Sequence, residues 1–196
     1  MANLENSKIL YTTCFFITSN FEALIEVGKY AASSGKPLGL NLSAVFLIQF
    51  EGAKVNEALE YADYLFCNED EADAFAKHNN IEHSSRKDIA VAIAKWTKVN
   101  QNRQRTVLIT QGALPVIAAI GQKEGEPEVR EFEVPALTKE QLVDTNGAGD
   151  SFVGGFLAQL AQDKDLDTCI KCGTYLSAQV IQRSGATFPE VNTFEA

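Results

Sequence analysis

Apolar residues recur along this chain in two rhythms. Short runs free of charge alternate with stretches in which apolar positions return every three or four residues, the patterns of buried strands and amphipathic helices. ILYTTCFFIT (9–18) is the first apolar run and predicts a strand buried on both faces. A helix follows: Ser19 or Asn20 can cap it, Phe21, Leu24, Ile25, Gly28, Ala31 and Ala32 keep helical spacing, and Gly35 is placed to end it. PLGLNLS then predicts a strand, VNEALEYAD a helix, YLFCN a strand, EDEADAFAKHN and RKDIAVAIAKWTKV two helices, and TVLIT a strand. Such alternation implies right-handed crossovers and a mainly parallel sheet with helices on both faces, an α/β class of fold. Beyond TVLIT the rhythm changes. QGALPVIAAIG and VREFEVP predict neighbouring strands joined by the exposed loop QKEGEPE, and two helical patterns, SFVGGFLAQLAQ and LDTCIKCGTYLSAQVIQR, close the chain. No linker or repeat interrupts it, so residues 1–196 are expected to form a single domain.

Charge narrows the partners. Lysine and arginine number 17 against 26 aspartates and glutamates, a net charge of -9, and the acids are dispersed. That field repels nucleic-acid backbones and anionic lipid, so neither nucleic acid nor membrane is an expected partner. No apolar run is long enough for a membrane helix, and MANLENSK lacks the pattern of a secretory signal, which predicts an intracellular protein. The four cysteines, at 14, 67, 169 and 172, have no disulfide-framework spacing. Cys169 and Cys172 form a CxxC, but it lies within a helical pattern and no second pair completes a zinc set. His78 and His83 stand in the polar stretch HNNIEHSS, where exposed imidazoles are expected rather than metal ligands.

The string Asp144-Thr145-Asn146-Gly147-Ala148-Gly149-Asp150 directly precedes an apolar helix. Small residues at 147–149 let backbone approach a ligand, and the free N–H groups and dipole of a helix start attract phosphate, so the loop can form an anion hole. Asp150, in the first turn of that helix, can accept a proton from an attacking hydroxyl. The same residues also fit a Gly-rich turn that does no more than start a helix. A Walker A loop is excluded because no Lys-Ser or Lys-Thr follows the glycines, and a Rossmann fingerprint because its third Gly is missing.

The longer string DTNGAGDSFVGGF resembles the second signature of the ribokinase-like (PfkB) kinases. NLSAVFLIQF, YADYLFCNEDEADAF, RQRTVLITQGA and RSGATFPE resemble, in order and spacing, segments of the eukaryotic adenosine kinase branch of that family. The resemblance implies a three-layer ribokinase-like fold, ATP and Mg2+ as cofactors, and transfer of the ATP γ-phosphate to the 5′-hydroxyl of adenosine, giving AMP and ADP. It makes Asp150 the catalytic base and Gly147, Ala148 and Gly149 the anion hole. Asn68, Thr110, Gly112, Asn146 and Ala178 become nucleotide contacts, Glu71 holds Mg2+ through water, and Phe15 stacks on the nucleoside purine. Read as residues alone, Asn68 and Glu71 also suit a helix cap, Thr110 to Gly112 a tight turn, and Phe15 a core position.

Thr174 departs from the His that some relatives have, and Val45 stands where relatives often have Pro. The chain resembles the C-terminal part of the family; the segment that supplies the ribose clamp and the closing lid is expected to be missing. The resemblance further implies a monomer at full length, in the cytoplasm and also the nucleus. Two other readings stay open: a non-catalytic nucleotide-binding fragment, and a related sugar or nucleoside kinase.

Overall fold

A computed structural model of the chain describes residues 2–191, 193 and 194. Its sheet has six strands in sequence order: β1 (Leu10–Thr13), β2 (Leu38–Asn41), β3 (Tyr64–Asn68), β4 (Thr106–Gln111), β5 (Leu114–Ile120) and β6 (Glu128–Phe132). The first four run parallel, with Leu40 opposite Leu65 and Leu65 opposite Val107. Helices α1 (Ala2–Asn6), α2 (Phe16–Ser34), α3 (Val45–Leu59), α4 (Glu69–His78), α5 (Arg86–Ala94), α6 (Ala148–Leu160) and α7 (Leu166–Val180) complete it. The alternation predicted from the sequence is present, and the charged loop joins neighbouring β5 and β6. The residues group into two compact units, Met1–Gln111 with Val116–Glu131, and Gly112–Pro115 with Phe132–Ala196.

In the first unit, β3 and β4 carry the continuous apolar runs of strands covered on both faces. Leu65, Val107, Leu108 and Ile109 are fully buried, and Leu24, Ile48, Val55, Leu59, Phe75, Ile89 and Ile93 from the helices join Leu65, Val107 and Ile109 in one core. Each such side chain contributes about 1.5–3 kcal/mol by leaving water.

The run 9–18 does not form the long, doubly buried strand expected of it. Only Leu10–Thr13 is extended, Tyr11 is exposed, and the chain turns at Cys14 and enters a helix at Phe16. β1 lies at the edge of the sheet, paired with β2 alone among the described residues, so it has less surface to bury. Asn20 does cap: its backbone leaves the helical region (φ -161°, ψ 87°), and its side chain accepts the Ala23 N–H at 3.0 Å. Gly35 ends α2 at φ 70°. Helix α3 begins ten residues before the predicted VNEALEYAD, at Val45, and breaks at Glu51 (φ -122°, ψ 21°). Val45 is the first residue of that helix, a position where Pro is favoured because its missing N–H has no helical partner. Valine there loses some preorganisation and no hydrogen bond.

A buried charge fastens the end of the sheet where β4 begins. Arg105 is 1% exposed, and its guanidinium donates to the carbonyls of Leu59 (2.7 Å), Ala62 (3.1 Å), Ile93 (2.9 Å), Trp96 (2.8 Å) and Thr97 (3.1 Å). These include the last-turn carbonyls of α3 and α5, Leu59 and Ile93, which also accept the Ala62 and Trp96 N–H groups at 3.0 and 3.1 Å and keep a lone pair for the arginine. Burial pulls the Arg105 pKa down to about 10, which leaves it charged at neutral pH.

In the second unit α6 packs on α7. A Cβ at Gly155 would stand 2.7 Å from the Cys172 carbonyl oxygen, and one at Gly173 would stand 2.8 Å from that of Phe152. The helices therefore approach at backbone distance. All four cysteines are free and buried, with the CxxC inside α7.

Candidate active site

The 144–150 string takes the conformation its composition suggests. Asp144 Oδ1 accepts the Asn146 N–H at 2.9 Å, a turn that leads into Gly147 at φ 80°. Gly147 is the N-cap of α6 and provides no side-chain cap. A Cβ there would lie 3.0 Å from the Ala186 Cβ, so both the positive φ and the close approach require glycine. The first i to i-4 bond of the helix runs from the Ser151 N–H to the Gly147 carbonyl at 2.9 Å. The amides of Gly149 and Asp150 therefore precede the helical ladder, and no acceptor meets them among the described residues. Asp150 is exposed in that first turn. Two free amides, a helix dipole and a solvent-facing carboxylate thus share one turn. The amides suit an anion and the carboxylate suits a proton.

Helix α7 is tied to this turn: Ser177 Oγ donates to the Ala148 carbonyl at 2.7 Å, and neighbouring Ala178 is buried. The Thr174 hydroxyl, one turn earlier, donates to the Lys171 carbonyl of its own helix at 3.0 Å. A shallow apolar pocket, about 250 Å³, opens beside α7 between Tyr175, Leu176, Phe188 and Pro189.

In the first unit the structure brings Asn68, Glu71 and Thr110 together. Asn68 and Thr110 are partners at the C-terminal ends of adjacent parallel strands, where open α/β sheets bind their ligands. Asn68 and Glu71 form a reciprocal cap of α4. Asn68 Oδ1 accepts the Glu71 N–H at 2.8 Å, and Glu71 accepts the Asn68 N–H and Nδ2–H, each at 3.1 Å. The capping reading of this pair is thus realised in full, and it fixes the carboxylate's position. Glu71 is buried; desolvation raises its pKa, opposed by the backbone amides of Asn68 and Ser43, with Asp70 and Glu69 adding a smaller upward push. Thr110 Oγ1 donates to the Cys67 carbonyl at 3.4 Å. Gly112, at φ 58° between β4 and β5, makes the turn that TQG suggested.

Phe15 is not a core residue. It is 48% exposed at the end of β1 and meets Phe46, equally exposed, at a centroid distance of 6.0 Å and an interplanar angle of 56°. Phe46 escaped the sequence reading. Its signal was present, because Leu47, Ile48, Val55 and Leu59 define the buried face of α3, and Phe46 and Phe50, one turn apart, fall off it. Asp144, within the motif, has no local signal of its bond to Gly185, 41 positions away.

Comparison with known proteins gives the family. Residues 1–193 match the model of the pfkB family of carbohydrate kinases. Adenosine kinase 2 of Arabidopsis thaliana is 42% identical over 193 residues, covering 98% of this chain and 54% of the relative. Adenosine kinase of Schizosaccharomyces pombe is 36% identical over 186 residues, covering 95% and 53%. Among solved structures, Anopheles gambiae adenosine kinase in complex with P1,P4-di(adenosine-5) tetraphosphate superposes with a TM-score of 0.89 at 44% identity, covering 97% of this chain and 56% of that one. The chain therefore spans about half the length of the relatives it matches. The fold is the ribokinase-like α/β fold of these neighbours, and the chain belongs to the pfkB carbohydrate kinase family.

Proposed function

We propose that this chain is the nucleotide-binding part of an adenosine kinase, which transfers the γ-phosphoryl group of ATP to the 5′-hydroxyl of adenosine. The observation that carries the reading is the start of α6, where the unpartnered amides of Gly149 and Asp150 adjoin the exposed Asp150 carboxylate. In this scheme Asp150 takes the hydroxyl proton as the 5′-oxygen bonds to the γ-phosphorus. The bond from that phosphorus to the β,γ-bridging oxygen breaks, and ADP leaves. Gly147, Gly149 and Asp150 present backbone donors to the charge that develops on the transferring group, whereas the Ala148 N–H, expected to share in the anion hole, is taken by the Thr145 carbonyl at 3.3 Å. Asn146, Thr110, Gly112, Asn68 and Ala178 contribute to the nucleotide's surroundings, and Phe15, joined by Phe46, offers a ring face to the purine. The tetraphosphate bound by the Anopheles relative carries an adenosine and an ATP-like polyphosphate in one molecule, as expected of a site that takes acceptor and donor together.

The donor set fits magnesium in one mode. Among the described residues no three His, Cys, Asp or Glu side chains gather to cage a metal, and both Glu71 carboxylate oxygens are engaged by Asn68. A cation that keeps its waters and leans on nucleotide phosphates needs no more than one such carboxylate. Glu71, oriented by Asn68, would hold it through water, and the ion would neutralise phosphate charge.

The test is AMP formation beside MgATP affinity in Asp150→Asn. The expected result is affinity within about twofold of wild type and turnover lowered by roughly a thousandfold, in the range for loss of a general base. Equal turnover in the two proteins would remove Asp150 from the mechanism. The half-length match to the relatives favours one second reading, a piece that binds nucleotide without transferring phosphate. MgATP binding by the wild-type chain with no AMP formed would select it.

A further inference from the structure

Asp144 uses both carboxylate oxygens on backbone amides from distant parts of the second unit. Oδ1 accepts the Asn146 N–H at 2.9 Å and Oδ2 accepts the Gly185 N–H at 3.1 Å. The same two stretches meet at further points. The N–H groups of Val143 and Asp144 both donate to the Ile181 carbonyl, at 2.9 and 3.2 Å, and Gly147 lies against Ala186. The loop that leads into α6 and the turn that follows α7 are therefore one braced element, and Asp144 is the only side chain among these contacts that accepts from both.

We propose that Asp144 is a positioning residue that aims the phosphate-binding amides of Gly149 and Asp150 by locking the Asn146–Gly147 turn onto the Gly185 turn. The proposal rests on the anion-site reading given above. A carboxylate suits the task because it is acceptor-only and can serve two donors at once. An asparagine has one acceptor oxygen; its NH2 would face either the Asn146 or the Gly185 amide, so one bond is replaced by a donor opposite a donor. The amides of Asn146 and Gly185 hold the Asp144 pKa below its ordinary value, and the group is ionised at neutral pH. If the lock opens, Gly147 is free to leave φ 80°, and the two amides beyond it lose their common direction.

The experiment compares wild type, Asp144→Asn and Gly185→Ala in the chain as it stands. Gly185→Ala keeps the N–H but strains a backbone at φ 72°, with no atom within 4 Å of the added methyl, so it displaces the turn without a clash. Amide resonances are recorded without ligand, and affinities for MgATP and inorganic tripolyphosphate by calorimetry. In both variants the Gly149 and Asp150 resonances are expected to shift, with melting still cooperative and both dissociation constants raised about tenfold or more, the size of one lost charge-assisted hydrogen bond. A merely structural loop residue would leave those resonances and affinities unmoved, and that result overturns the proposal, whichever variant supplies it. If wild type binds neither MgATP nor tripolyphosphate, the anion-site reading fails. The lock is then judged by the resonances alone, and unshifted signals overturn it.

Discussion

Two adjacent glycines in α6 should answer the same substitution with opposite signs. A methyl on Gly155 would lie 2.7 Å from the Cys172 carbonyl oxygen, 2.9 Å from its carbon and 3.0 Å from the Gly173 Cα, all backbone of α7. Backbone cannot rotate aside, so the helices must separate by several tenths of an ångström. Overpacking of this kind costs about 1–3 kcal/mol, and a rigid neighbour puts it near 3. Alanine's helix propensity returns about 1 kcal/mol, so Gly155→Ala is expected to destabilise by roughly 2 kcal/mol. Gly154 is exposed, with nothing within 4 Å of an added Cβ. Propensity acts alone there, and Gly154→Ala is expected to stabilise by about 0.5–1 kcal/mol. Urea unfolding of the two variants and wild type measures the difference as a shift in midpoint at constant slope. A Gly155→Ala midpoint at or above wild type would refute the claim that α6 and α7 meet through this glycine. A lowered midpoint in Gly154→Ala would refute the claim that its neighbour alone requires one.

Arg105→Met should destabilise the chain by about 4 kcal/mol, because it removes five hydrogen bonds to a charged donor and takes from the carbonyls of Ala62, Trp96 and Thr97 the donor they have in the fold; a midpoint shift below about 1 kcal/mol would show that water replaces the guanidinium. Glu71→Gln should narrow the gap between ATP affinities measured with and without magnesium by about tenfold, as expected when an outer carboxylate is neutralised; an unchanged gap would leave Glu71 as a helix cap only. Asp88 accepts from the N–H and hydroxyl of both Ser84 and Ser85, and the Ser84 N–H leads in pulling its pKa down to about 2. Its folded pKa lies below the ordinary 3.8, so its contribution is present above that pH and lost as pH falls toward 2. Asp88→Asn should therefore flatten the decline of urea midpoints over that interval, and parallel curves for variant and wild type would contradict the assignment.

What the sequence disclosed follows from how each element is stabilised. β3 was legible to the residue, because YLFCN is an apolar run bounded by Asp63 and the acidic start of α4. Asn20 and Gly35 were legible because cap chemistry is local. The segment 9–18 was not, since Phe15 and Phe16 have the composition of a buried strand, and their exposure depends on a turn at Cys14 and an edge position that no local pattern encodes. The early start of α3 was missed for a related reason. Ala44, its N-cap, makes no side-chain cap, and Ser43 holds φ 71°, so the usual polar signal is absent. The motif at 144–150 could be read as an anion loop from its small residues. The task of Asp144 depends on Gly185, 41 positions away, and only the folded chain puts them together.

The acceptors of Arg105 come from stretches of chain that start far apart. Leu59 and Ala62 lie 46 and 43 positions before it, whereas Ile93, Trp96 and Thr97 lie 12, 9 and 8 before it. A state in which the end of α3 has docked and α5 has not would hold a desolvated cation with fewer than half its partners, and such a state lies well above both the native and the unfolded chain. The arginine thereby removes partly assembled forms from the ensemble and makes this end of the unit open as one body. Amides at the close of α3, the close of α5 and the start of β4 do not fray singly; they exchange with solvent deuterium through one shared opening and carry one free energy of exchange.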